Sequence, residues 1–150
     1  MQFLAADVEK ITGVKRQRLE QWLSRGFIAP SIQAASGHGS RNIWSRNDLY
    51  TIALFKKITE SGLSRKMVSD FLSAGIVGRK KVNDVMFMLY MRKEGKRKGS
   101  AIYFKKGEDI VLHLDDIQTD LNMHPFDDVF IVNFIKLRVA IDKKIEEAEC

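Results

Sequence analysis

Lys15, Arg16, Gln17, Arg18 and Gln21 place three cations and two carboxamides within seven residues. That set suits the reading of double-stranded DNA. An arginine guanidinium can take guanine through two parallel hydrogen bonds, a glutamine amide can take adenine, and the cations can also take phosphates. The same segment reads as a helix, because Leu19, Trp22 and Leu23 recur at i, i+3, i+4 and Gly26 ends the run. Opening a helix with cations opposes its dipole, at about 0.3–1 kcal/mol each at low salt. An external anion would remove that cost. The bland alternative is that Lys15 and Arg16 are solvated helix-start residues.

Two further groups could meet the same polyanion. His38, Ser40, Arg41 and Asn42 fall in or beside a Ser36-Gly37-His38-Gly39-Ser40 turn, where glycine amides and Arg41 can grip phosphate or enter a minor groove. Arg65 and Lys66 follow Ser64, a candidate helix cap whose neighbouring amides favour phosphate. The charge distribution agrees. Residues 1–80 carry 13 Lys and Arg against 6 Asp and Glu, a net +7, whereas residues 81–150 carry 12 against 13, a net −1. The excess positive charge therefore lies in the first half, as expected of a module that faces nucleic acid.

Other chemistries find little support. His38, His113 and His124 stand apart without metal-ligand spacing, and the single cysteine is Cys150. Asp115-Asp116 and Asp127-Asp128 read as caps or solvated loops. No catalytic group, metal site or cofactor is expected. No apolar run approaches the roughly 20 residues that span a bilayer. The first residues lack the basic region of a signal peptide, and one cysteine permits no internal disulfide, so a cytoplasmic setting is expected.

The elements that must position these residues follow from periodicity. Leu4, Val8 and Ile11 define a first helix over 5–12, closed by Gly13. The second runs from Lys15 to about Arg25. Two short helices joined by a tight glycine turn are the sequence form of a helix-turn-helix. Pro30 forbids further helix, and Ile32 with Ile43-Trp44 reads as the two strands of a hairpin wing around the glycine turn. Ser45-Arg46-Asn47-Asp48 matches a capping box and opens a third helix bearing Leu49, Ile52, Ala53, Phe55 and Ile58. A fourth follows Ser64 with Met67, Val68, Phe71 and Leu72. Trp22, Phe27, Trp44, Phe55 and Phe71 fall at core spacing and read as packing, not base stacking.

This order resembles the MerR-type winged helix-turn-helix. The likeness rests on Val8 with Gly13-Val14, on Leu19, Trp22, Gly26-Phe27-Ile28 and Pro30, on Arg41-Asn42-Ile43-Trp44-Ser45 with Asp48-Leu49, and on Glu60-Ser61-Gly62-Leu63-Ser64. It covers about half the chain. The resemblance implies a dimeric regulator on a near-palindromic promoter site, with double-stranded DNA and RNA polymerase as partners. The chain departs from the family at Glu20-Gln21-Trp22-Leu23, where Arg-Tyr-Tyr-Glu is common, so Glu20 takes no phosphate role. Cysteines near a dimer helix, used by metal-sensing members, are missing.

The expected organisation is α+β: a DNA-binding domain over 1–75, a linker near 78–81, and a C-terminal α/β dimerisation or effector-response domain over 82–150. Val85–Met91 reads as a strand, 92–100 as a polar turn, Ala101–Phe104 as the return strand, 110–112 as a short strand, 115–122 as a short helix and 129–132 as a further strand. A final helix to about Glu147 carries the stripe Phe134, Leu137, Ile141 and Ile145. That stripe is the dimerisation candidate, with packing on the small sheet as the alternative. Tyr90, Tyr103 and His113 could line a pocket, with an ordinary core the simpler reading; no residue specifies an effector. An excisionase-like or architectural DNA binder is disfavoured by the long second half. A protein-interaction module that has lost DNA binding has Glu20 as its best support.

Overall fold

In the computed structural model, residues 1–73, 77, 87–93, 96–102 and 128–149 are described. Helix α1 (Ala5–Thr12) starts where the Asp7 carboxylate accepts the Leu4 N–H at 2.8 Å, which supplies an otherwise orphaned donor. It stops at Gly13, whose φ of 70° is left-handed. Buried Thr12 secures the turn, since its hydroxyl donates to the Val8 carbonyl and accepts the Val14 N–H. Helix α2 (Arg16–Ser24) follows at once, completing the helix-turn-helix.

Helix α3 (Arg46–Glu60) opens with the expected capping box. Ser45 Oγ accepts the Asp48 N–H at 3.2 Å, and the Asp48 carboxylate accepts the Ser45 N–H at 2.7 Å. Ser45→Ala is expected to lower stability by about 1 kcal/mol in urea unfolding, the usual worth of such a cap. Helix α4 (Arg65–Ser73) follows Ser64, whose hydroxyl accepts the Met67 N–H, and Ser69 ties it to the Phe27 carbonyl. Val8, Ile11, Leu19, Trp22, Trp44, Ile52, Phe55 and Val68 form one core between these helices. Trp22 meets Phe55 edge-on at 4.7 Å, and Phe27 stacks on Phe55 at 6.0 Å, so the tryptophans and these phenylalanines pack rather than stack on bases.

Between α2 and α3 the expected two-stranded ladder is replaced by isolated antiparallel bridges, Gln33 with Ile43 and Phe3 with Trp44. The reason is local competition for donors. The Ser31 N–H goes to the Asp48 carboxylate, the Ala35 N–H to Asn42 Oδ1 and the Ser36 N–H to Ser40 Oγ. Side chains thus take backbone donors that strand pairing would need. Gly37 and Gly39, both at positive φ, turn the tip.

The described C-terminal strands are β1 (Phe87–Lys93), β2 (Lys96–Ile102) and β3 (Asp128–Asn133), an antiparallel sheet with β1 in the centre. Phe87 pairs with Ile102 and with Asn133, and Lys93 pairs with Lys96. Most of the polar run expected to be a turn over 92–100 therefore continues the ladder. Backbone pairing overrides the weak strand preference of lysine and arginine. The expected linker at 78–81, the strand at 110–112, the helix at 115–122, and Tyr103, His113 and His124 lie outside the described residues.

β3 runs directly into helix α5 (Phe134–Glu149), where Asn133 Oδ1 accepts the Lys136 N–H at 2.8 Å as an N-cap. α5 packs against α1 and α3. Phe134, Ile141 and Ile145 are buried in the same core as the first four helices, together with Val132, and Leu137 packs half-buried at its margin. Phe134 meets Tyr50 of α3 edge-on at 6.2 Å.

A polar contact flanks this seam. Tyr50 Oη donates to the Asp142 carboxylate, and Arg46 Nε lies 3.2 Å from the same oxygen. Burial, followed by the hydrogen bond to Asp142 and the negative charge on it, pushes the Tyr50 phenol from 10.0 up to about 12. A raised folded pKa means that the stabilisation is intact below pH 10 and is lost as pH rises from 10 to about 12. Urea midpoints measured across that window should fall more steeply for the wild type than for Tyr50→Phe, which has no phenol to titrate.

Candidate nucleic-acid interface

The outer face of α2 is built by the same periodicity that buries its inner one. Leu19 and Trp22 are sequestered in the core, which turns Lys15, Arg16, Gln17, Arg18 and Gln21 to solvent. All five of these predicted contact residues are exposed on or immediately before the first two turns of the second helix. Glu20 is exposed on the same helix.

The start of α2 has no acid in its first turn and no side-chain cap, and its N-cap is Lys15. The compensating charge comes from α1. One Glu9 carboxylate meets both cations, with Lys15 Nζ at 3.5 Å from Oε1 and Arg16 Nε at 3.3 Å from Oε2. Sequence reasoning missed Glu9. The available signal was a helix start rich in cations and devoid of acids, next to a preceding helix that carries one.

Arg18 belongs to a different neighbourhood. It lines an open groove of about 620 Å³ between α2 and the α3–α4 joint, with Trp22, Glu60, Leu63, Arg65 and Lys66 among the other walls. The fold thus brings together Arg18 and the predicted pair Arg65 and Lys66, which are far apart in sequence. Lys66 also pairs with Asp70 at 3.6 Å along α4. An anion entering this groove would meet cations from two helices beside the start of α4, where backbone amides reinforce them.

The loop residues divide into two kinds. His38 and Arg41 are exposed and are not part of the groove lining. Ser40 and Asn42 accept backbone N–H groups of the loop through their side-chain oxygens, so they shape the loop that presents Arg41. Ser40 Oγ also donates to the Gly37 carbonyl. Among the described residues no group of His, Cys, Asp and Glu is arranged to hold a metal ion. No described helix is long and apolar enough to cross a membrane.

Four helices arranged in this way, with an exposed cationic second helix, make up a helix-turn-helix domain. The family described as "MerR HTH family regulatory protein" matches residues 4–75. Residues 4–75 thus form a helix-turn-helix domain of the MerR type. Over 55 residues the chain is 29% identical to an uncharacterized HTH-type transcriptional regulator of Mycobacterium bovis and to ones of the same description from two strains of Mycobacterium tuberculosis. The match takes in 37% of this chain and 24% of each relative. The chain thus spans about a quarter of the length of the curated relatives it matches.

Proposed function

We propose that this protein is a transcriptional regulator that binds double-stranded DNA in a sequence-specific manner, as a dimer on a near-palindromic promoter site. The observation that carries the reading is the exposed set Lys15, Arg16, Gln17, Arg18 and Gln21 on the second helix of a MerR-type domain. In helix-turn-helix proteins that helix enters the major groove with its N-terminal residues on base edges. Arg16 and the two glutamines supply base readout. Arg18, Arg65 and Lys66 take a phosphate in the groove between α2 and α4. His38 and Arg41, on a loop shaped by Ser40 and Asn42, act as the wing and take the flanking backbone. RNA polymerase at the promoter is the further partner, and the cytoplasm is the setting.

The stripe Phe134, Leu137, Ile141 and Ile145 serves the dimer if α5 is exchanged between copies, and another surface serves it otherwise. Phe134, Ile141 and Ile145 lie within the chain's own core. A second copy would meet either the opposite face of α5, where Val139 is 58% exposed, or α1 and α3 through an exchanged α5. Selection of bound duplexes from a random pool tests the whole reading. Two half-sites whose centres lie about one helical turn apart, near 34 Å, or a multiple of it support the dimer. A pool that gains no consensus overturns sequence-specific binding.

A further inference from the structure

Glu9 has a role that stability does not explain. Its two ion pairs are at the surface, where such pairs contribute little to folding. The acid is nevertheless the fixed partner. Glu9 sits beside Val8, which is fully buried, and its side chain is 30% exposed, against 84% for Lys15 and 59% for Arg16. The carboxylate is therefore on the less solvent-accessible side chain of both pairs. Each cation takes one of its two oxygens, so a single charge is shared by both.

We propose that Glu9 is a specificity-determining residue of the DNA interface: it holds Lys15 and Arg16 against capture by arbitrary phosphates and presents Arg16 to a base edge. The inference rests on the reading that α2 faces DNA. Non-specific binding is carried by phosphates. A phosphate approaching the start of α2 meets two cations already facing a carboxylate, and it is repelled by that carboxylate at close range. The neutral edge of a base meets no such repulsion. Arg16 is held to Glu9 through Nε, so its guanidinium has less freedom to lose on meeting a base edge. Repelling the wrong target costs the right one little, which is how specificity is gained without added contacts.

Glu9→Gln tests this, since it keeps the shape of the side chain and removes its charge. The probes are the best duplex from the random-pool selection and a shuffled duplex of the same length and composition. The shuffled duplex should bind the variant about tenfold more tightly at low salt, with a logarithmic salt slope steeper by about one phosphate contact. The selected duplex should gain much less, so the ratio of the two affinities falls. In a Lys15→Ala, Arg16→Ala background the gain from Glu9→Gln should vanish. Equal gains on both duplexes, or a gain that persists without the two cations, would mean that only net charge has changed and would overturn the proposal. So would a variant that binds both duplexes as the wild type does. A wild type that ignores duplex DNA at every salt concentration overturns the DNA reading and this inference together.

Discussion

Phe134→Ala is expected to lower the unfolding free energy by about 3–5 kcal/mol, the usual range for emptying a buried phenylalanine site. Phe134 is 1% exposed and packs edge-on against Tyr50. The cluster that contains it also holds Val8 and Ile11 of α1 and Leu49, Ile52 and Phe55 of α3. Since a domain of this size has roughly 5–15 kcal/mol in hand, the variant should be close to its threshold at 25 °C. Urea unfolding gives the magnitude, and hydrogen exchange gives the location. Protection of α1 and α3 amides should fall along with that of α5. Unchanged protection in α1 and α3 would show that α5 is a dispensable attachment.

Arg16→Ala with Arg18→Ala should abolish most of the affinity for selected DNA. A base-contacting arginine is worth about 1–3 kcal/mol, and phosphate contacts add a salt-dependent share. The pair should therefore cost at least about thirtyfold. The two single variants should differ in kind, because the fold places the two arginines differently. Arg16 lies beside Glu9 at the start of the reading helix, so its loss should relax preference at one base position. Arg18 lines the groove shared with Arg65 and Lys66, so its loss should weaken all sequences alike and flatten the salt slope by about one. Neither side chain is buried, so unfolding midpoints should stay near the wild-type value. Binding titrations at several salt concentrations distinguish the cases, and unchanged affinity in the double variant would remove α2 as the reading helix.

The parts of the molecule legible in its sequence are those fixed by neighbours in the chain. Gly13 and Gly26, Ser45 with Asp48, and Ser64 mark helix ends through local hydrogen bonds or local dihedral preference, and the apolar spacing between them marks the buried faces. The cations of α2 were legible for the same reason. What could not be read depends on encounters across the chain or on competition within a loop. The stripe on α5 announces that it will be covered but not by what, and within the chain its cover is α1 and α3. The loop before α3 has the composition of a hairpin, yet Asp48, Asn42 and Ser40 divert donors from the ladder. Within the site, the sequence groups Arg18 with Arg16 on one helix, and only the fold brings it to the groove that Arg65 and Lys66 also line. Glu9 carries no mark of its role in the sequence around it, because its partners lie beyond the turn.

The closure of the core by α5 also has a consequence in time. A ribosome delivers α1 through α4 first, and at about 5–20 residues per second the helix that covers their flank follows only seconds later. During that interval α1 and α3 lack part of the cover they have in the finished chain. A fragment that ends before Phe134 carries every proposed DNA-contacting side chain but not the helix that seals them into one cooperative unit. Chaperones and proteases recognise such unfinished apolar surface. A chain that stops before α5 therefore leaves bare the apolar surface on α1 and α3 that this helix covers.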